Sequence, residues 1–120
     1  MKTHPVLEAL NKAVEGLLYI SETESPLEPF LWEGDLSPDR LRKEAGVAKG
    51  TSIEEAPLES FFRTVSAEDQ PKFAKLAQVL KELTAVKVYK IGDEAEKAVY
   101  VVGKTKDGKW AGVKTSVVET

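Results

Sequence analysis

The chain contains no cysteine and a single histidine, His4, among its 120 residues. Without cysteine it can form no disulfide, no thiolate metal site and no cysteine nucleophile, so the sequence offers no basis for thiol redox chemistry. A lone histidine near the start of the chain has no base and orienting group beside it in the sequence. Ser-His-Asp and Cys-His catalysis therefore both lack support, and we expect a protein with no catalytic residues.

The chain also lacks an excess of positive charge. Its 17 Lys and Arg residues are outnumbered by 20 Asp and Glu residues, which gives a formal net charge of −3. The summed field of such a protein repels a phosphate backbone, so direct binding of nucleic acid is disfavoured.

Long apolar runs are missing as well. Polar residues, among them Glu8, Lys12 and Glu15, interrupt the first 16 positions, so the sequence has no signal-peptide core there and no window that would span a membrane. We expect a cytoplasmic protein that is a monomer when free and that needs no cofactor.

The remaining composition is that of an ordinary globular domain. Hydrophobic residues make up 42% of the chain and charged residues 31%, far from the composition of disordered chains. At this length about two thirds of the unfolded surface can be buried. We therefore expect one domain that covers residues 1–120.

Four helices are predicted from apolar spacing and end signals. The first carries its apolar residues at helical spacing from Val6 to Leu18 and should end near Ser21. The second has a capping Ser37, then Pro38, and ends at Gly46. After a polar link, a short third helix follows Pro57. Ser66 and Asp69 resemble a capping box for the fourth helix, whose apolar stripe runs from residue 73 to residue 83.

The strand predictions come mostly from the last third of the chain. Runs rich in β-branched and aromatic residues occupy 86–91, 98–102 and 110–118, with Asp107-Gly108 as the strongest hairpin turn. Residues 30–33 form a further short strand, which could join an edge of the same sheet. Because both alternating sets of the middle strand are apolar, both sheet faces should be covered. The predicted fold class is α+β, a single-domain three-layer α/β/α sandwich with a mainly antiparallel sheet.

Two candidate sites follow from residue chemistry alone. Gly103-Lys104-Thr105 copies the end of a phosphate-binding loop, but Ala98 stands where that loop needs glycine. The acidic segment 21–35, "SETESPLEPFLWEGD", contains Glu22, Glu24 and Glu28 beside Phe30 and Trp32. Its carboxylates fit a solvated edge, general acid–base work or a hard cation, and its aromatic residues fit either packing or a binding hot spot.

Four segments of the sequence carry a resemblance to a known family. They are "GLLYISETESPLEPFLWEG" (residues 16–34), "SFF" (60–62), "VYKIGD" (88–93) and "VYVVGKTKDGKWAGVKTSVVET" (99–120). With them the chain resembles the nuclease A inhibitor family of small bacterial proteins over nearly its whole length. The resemblance implies a cytoplasmic α/β/α sandwich that is no enzyme. It also implies a protein partner, a sugar-nonspecific DNA/RNA endonuclease with its bound Mg²⁺, whose active site the inhibitor blocks.

The resemblance also implies a binding site. Family inhibitors direct a glutamate that matches Glu22, and a C-terminal threonine that matches Thr120, toward the catalytic metal of the nuclease. Acidic groups beside apolar surface suit a plug for a basic cleft that normally holds a polyanion. The expected partner-binding residues are Glu22, Glu24, Trp32, Glu68, Asp69, Glu119 and Thr120, and the chain itself is expected to hold no metal.

One segment departs from the family. Residues 64–70, "TVSAEDQ", are shorter than their counterpart and lack the tryptophan that the family inhibitor presents there. Loss of an aromatic anchor can cost about 2 kcal/mol or more of binding energy. An alternative is therefore a binding module of the same fold with a non-nuclease partner. A third hypothesis, an enzyme, rests only on the cluster of Glu22, Glu24 and Glu28.

Overall fold

The computed structural model describes residues 5–20, 24–34, 36–63, 65, 68–92 and 95–118. Its helices are α1 (Pro5–Val14), α2 (Pro38–Ala45), α3 (Leu58–Arg63) and α4 (Gln70–Lys81). Its strands are β1 (Leu18–Ile20), β2 (Glu24–Pro26), β3 (Glu28–Trp32), β4 (Ile53–Pro57), β5 (Thr84–Ile91), β6 (Glu96–Lys104) and β7 (Trp110–Val118). No helix among these residues is long and apolar enough to cross a membrane.

Five strands form one antiparallel sheet in the order β3-β7-β6-β5-β4. The predicted meander of β5, β6 and β7 is confirmed, and the predicted short strand joins it at an edge. The Asp107-Gly108 turn is also confirmed: Gly108 has a φ of +82°, and the Thr105 amide donates a 2.8 Å hydrogen bond to the Lys109 carbonyl across the turn.

Both faces of this sheet are covered, as the alternating apolar pattern of β6 predicts. One core joins α1, α3 and α4 to the sheet through residues such as Leu10, Leu76 and Val101. A smaller core places α2 on the opposite face, where Leu41 packs with Ile91, Phe30, Tyr100 and Val102. The α+β class and the three-layer α/β/α arrangement are therefore confirmed.

The first helix is shorter than predicted. It ends at Val14, Gly16 adopts a left-handed φ of +76°, and the following residues form β1 instead of continuing to Ser21. Leu17 and Leu18 fit the apolar spacing of the helix, but a left-handed glycine ends a helix readily because it has no Cβ. The prediction that α1 runs to Ser21 is wrong.

The start of the fourth helix also differs from the prediction. Asp69 is the N-cap residue, its backbone is in the right-handed helical region, and its side chain makes no capping hydrogen bond. The helix begins at Gln70 with Pro71 in its first turn, and Ser66 lies outside the described residues. The capping box proposed for Ser66 and Asp69 is therefore wrong.

The polar link before the third helix contains a strand. Residues Ile53–Pro57 form β4 and pair with β5 at the edge of the sheet. An edge strand can carry charged residues and a proline because one of its sides needs no sheet partner. The second and third helices, α2 and α3, lie where they were predicted. In α2 the Ser37 side chain accepts a hydrogen bond from the Arg40 amide, and Gly46 ends the helix with a φ of +72°.

Candidate functional site

A small β-hairpin presents the acidic segment of the sequence. Strands β1 and β2 pair as their own two-stranded sheet, with Leu18 opposite Pro26, Tyr19 opposite Ser25 and Ile20 opposite Glu24. The segment between them, residues 21–23, lies outside the described residues and includes the predicted Glu22. The backbone of the predicted Glu24 is in β2, so this residue follows that segment directly.

Tyr19 anchors the base of this hairpin in the main core. Its side chain is 7% exposed, and its hydroxyl donates a 2.7 Å hydrogen bond to the Phe61 carbonyl oxygen of α3. The Tyr19 ring stacks on Phe61 with a centroid distance of 4.4 Å and meets the edge of Phe73 of α4 at 6.4 Å. The hairpin is therefore fixed against both helices.

A second contact ties the hairpin to the last strand. The Ser25 and Ser116 hydroxyl oxygens lie 3.0 Å apart and share a hydrogen bond, and the Ser25 residue is 8% exposed. Both hairpin strands contact β7. Strand β7 ends at Val118, immediately before the predicted Glu119 and Thr120, which lie outside the described residues. The structure thus brings together the strands that flank two predicted site segments.

One ion pair lies beside this contact. Glu28 and Lys114 face each other in the β3–β7 register, with a carboxylate oxygen 3.6 Å from the ammonium nitrogen. Both side chains are substantially exposed, so the pair contributes little to stability. On the neighbouring strand, burial raises the pKa of the Tyr100 phenol, and the negative charges of Glu44 and Glu28 raise it further.

The predicted Glu68 and Asp69 lie just before α4. Glu68 is exposed, and the Asp69 carboxylate is 3.6 Å from the Lys72 ammonium group. The Asp69 carbonyl accepts a hydrogen bond from the amide of Phe73, the residue whose ring meets Tyr19. Asp69 is therefore one helical turn before Phe73, a residue that contacts the hairpin anchor Tyr19, and Glu68 precedes it directly.

The predicted Trp32 lies elsewhere. It pairs with Trp110 at the start of β7, whereas Val118 is eight residues further along that strand. At about 3.3 Å per residue, this separates Trp32 from the end of β7 by roughly 26 Å. The Trp32 ring stacks on Phe30 at 4.3 Å, and the Arg40 guanidinium lies 5.2 Å from its centre. Its role in partner binding stays a prediction.

Two further features of the sequence bear on metal and phosphate binding. The described residues include no group of three His, Asp or Glu side chains placed to hold a metal ion, and His4 lies outside them. Gly103 of the apparent phosphate loop lies within β6 rather than before a helix. A Cβ there would lie 2.7 Å from side-chain atoms of Leu83 and Val86, so this glycine permits close packing.

Sequence reasoning missed the β1–β2 hairpin and with it the contacts of Tyr19, Ser25 and Ser116. The available signal was Gly16, then the run Leu18-Tyr19-Ile20 and then Ser25-Pro26, because glycine ends helices and aromatic and β-branched residues favour strands. No local signal pairs Ser25 with Ser116, since 91 positions separate them.

No curated protein matches the chain. The family model described as nuclease A inhibitor-like protein matches residues 4–120, which is nearly the whole chain. That family indicates an inhibitor with a protein partner, a nuclease, rather than an enzyme. The chain belongs to the nuclease A inhibitor-like protein family.

Proposed function

We propose that this protein is a stoichiometric inhibitor of a sugar-nonspecific, Mg²⁺-dependent DNA/RNA endonuclease. In this proposal the hairpin turn with Glu22 and the C-terminal Thr120 enter the active-site cleft together. The observation that carries the proposal is the Ser25–Ser116 hydrogen bond, 3.0 Å between oxygens, because it joins the strand after Glu22 to the strand before Thr120.

The strand register supports the convergence of these two residues. Glu28 lies opposite Lys114 and Trp32 opposite Trp110, so each step back along β3 corresponds to one step forward along β7. This ladder ends at the Glu28–Lys114 pair, and β2 lies beside β7 without joining it. The Ser25–Ser116 bond, three residues before Glu28 and two residues after Lys114, keeps the two chains side by side beyond the end of the ladder.

The chemistry of the two groups suits the cleft of such a nuclease. Glu22 supplies a carboxylate, and Thr120 supplies a hydroxyl oxygen. Hard oxygen donors suit Mg²⁺, either directly or through water, and can occupy the place of a scissile phosphate without a bond to cleave. The net charge of −3 favours approach to a basic cleft.

The remaining predicted residues fit this proposal to different degrees. Glu24 flanks the hairpin turn, Glu119 precedes the terminus, and Glu68 and Asp69 lie one turn from Phe73, which contacts the hairpin anchor Tyr19. We propose these four as acidic contacts around the cleft. Trp32, at the start of β7, would need a second region of the partner to reach it.

A second candidate is a binding module whose partner is not a nuclease. The observation that favours it is the segment 64–70, which has no aromatic residue at the position where the family inhibitor offers a tryptophan. A missing anchor of about 2 kcal/mol weakens binding roughly thirtyfold, enough to signal a change of partner.

An inhibition titration separates the two. A fixed amount of a nonspecific Mg²⁺-dependent endonuclease is mixed with rising amounts of this protein, and DNA cleavage is followed. We expect activity to fall linearly to an endpoint at one inhibitor per nuclease. Full activity at equimolar micromolar concentrations across several such nucleases would reject inhibition and leave the repurposed module as the better account.

The position of the chain terminus allows a test of the mechanism itself. A peptide tag added after Thr120 should weaken inhibition strongly because it would have to enter the cleft, whereas the same tag before Met1 should not. Equal inhibition by the two tagged proteins would contradict the proposed plug even if the untagged protein inhibits.

A further inference from the structure

The hairpin is not part of the hydrogen-bonded ladder of the main sheet. Strands β1 and β2 form a separate two-stranded sheet, while β3 alone pairs with β7 along that edge. An isolated two-stranded hairpin is at best marginally stable in water. Only Leu27 separates β2 from β3, so the backbone fixes the base of the hairpin, and side-chain contacts help to fix how the rest of it lies against β7.

Two of these contacts act at different points. Tyr19 fixes β1 to α3 and α4 through the hydrogen bond of its hydroxyl to Phe61 and the contacts of its ring with Phe61 and Phe73. Ser25 fixes β2 to β7 through the 3.0 Å bond to Ser116. Tyr19 and Ser25 are partners in the hairpin register, so they hold the two strands at the same level.

The Ser25–Ser116 hydrogen bond is close in sequence to both proposed binding groups. Ser25 is three residues after Glu22, and Ser116 is four residues before Thr120. Ser25 is 8% exposed and Ser116 is half-buried, so their bond is partly shielded from solvent. A change in this bond would shift β2 relative to β7.

We propose that Ser25 and Ser116 are positioning residues of the inhibitor: their shared hydrogen bond aligns the Glu22 turn with the C-terminus so that both groups reach the metal site of the nuclease at once. This inference rests on the proposed function. Neither serine touches the partner in this account, and both act through the residues whose strands they join.

Alanine substitutions provide the first test. S25A and S116A should each weaken inhibition about two- to tenfold, the effect of losing one neutral hydrogen bond. The double variant S25A/S116A should be no weaker than the weaker single variant, because the two hydroxyls act as one unit. S25T keeps a hydroxyl on a strand residue and should retain most of the inhibition.

The matched control is S60A. The Ser60 hydroxyl also makes a hydrogen bond, 2.7 Å to the Pro57 carbonyl oxygen, but it lies at the start of α3. S60A should leave the inhibition constant unchanged. Urea denaturation of every variant reports stability separately from inhibition, so a fall in folded protein is not mistaken for a loss of positioning.

A double-mutant cycle with Glu22 distinguishes positioning from a general structural role. If Ser25 acts by aligning Glu22 with the terminus, S25A should weaken inhibition by less than twofold in the E22A background. A purely structural serine would cost the same factor in both backgrounds, and that result would overturn the inference.

Reversible cross-linking gives an independent test. The chain has no cysteine, so S25C/S116C can form only one disulfide, and hydroxyl oxygens 3.0 Å apart indicate a spacing that a disulfide can bridge. The oxidised protein should inhibit at least as strongly as wild type, and the reduced protein several-fold less. Equal inhibition by the two forms would overturn the inference. If wild type inhibits no nuclease, the proposed function itself fails, which is a distinct outcome.

Discussion

Replacing Tyr19 by phenylalanine removes one hydroxyl from the hairpin anchor and keeps its ring. The hydroxyl donates a 2.7 Å hydrogen bond to the Phe61 carbonyl, and Tyr19 and Phe61 are 7% and 2% exposed. Phe61 lies in the last turn of α3, where a carbonyl has no partner within the helix. The variant Tyr19→Phe therefore leaves a buried acceptor without its donor.

The expected loss in free energy of unfolding is about 1–2 kcal/mol, between the net value of a hydrogen bond and the cost of an unsatisfied buried group. For a domain of this size that loss corresponds to a fall in melting temperature of about 4–8 °C. Urea denaturation followed by tryptophan fluorescence measures it, and the slope of free energy against urea should stay unchanged.

Tyr89→Phe is the matched control. Tyr89 is only half-buried, and it lies on β5 away from the hairpin. Its loss of one hydroxyl should change stability by less than about 0.5 kcal/mol. If Tyr19→Phe is as stable as wild type, or if the two variants lose the same free energy, the account of the hairpin anchor is wrong.

Three further predictions concern the sheet, the acidic turn and pH. Gly112→Ala should lower the free energy of unfolding by about 3 kcal/mol or more, or prevent folding, because the new Cβ would overlap the Val101 carbonyl oxygen, a backbone atom that cannot move aside. Thermal denaturation measures this, and a near-native melting temperature would contradict the packing described. Glu22→Ala should weaken inhibition at least tenfold, as loss of a charged hot-spot contact does, with little change in melting temperature. The control Glu82→Ala removes the same charge from the end of α4 and should leave inhibition unchanged. Equal inhibition constants for the two variants would refute the assignment of Glu22. Because burial raises the pKa of Tyr100 above its ordinary 10.0, the unfolded chain loses this proton first, so stability should fall as pH rises above 10. Urea denaturation at neutral and alkaline pH should show a smaller fall for Tyr100→Phe, and an equal fall would contradict the assigned cause.

The parts of the fold that were predictable carry strong local signals. Ser37, Pro38 and Gly46 mark both ends of α2, and the Asp107-Gly108 turn marks the β6–β7 connection. These residues act through their own backbone conformation and capping, which a sequence shows directly.

The errors in the predicted fold also have local causes. Leu17 and Leu18 satisfy the apolar spacing of a helix and also suit the core and the hairpin, so spacing alone could not locate the end of α1. Strand β4 escaped notice because its edge position tolerates Glu54, Glu55 and Pro57, which residue preferences assign to a link.

The candidate site was less accessible to sequence reasoning. Glu22 and Thr120 were chosen from a family resemblance, since residue chemistry alone left the acidic cluster with several interpretations. Trp32 shares the acidic and apolar segment 21–35 with Glu22, but β3 carries the chain away from the hairpin toward Trp110. Proximity along an extended strand does not imply proximity in space, at about 3.3 Å per residue.

The central claim is that Glu22 and Thr120 together reach the catalytic metal of a nuclease. Loading the nuclease with paramagnetic Mn²⁺ in place of Mg²⁺, and recording the amide spectrum of isotope-labelled inhibitor in the complex, measures this approach directly. The account predicts the strongest relaxation at the hairpin turn and at residues 116–120, with signals of Trp32 and Lys104 retained. Strong relaxation around Trp32 with an unaffected hairpin and C-terminus would contradict it.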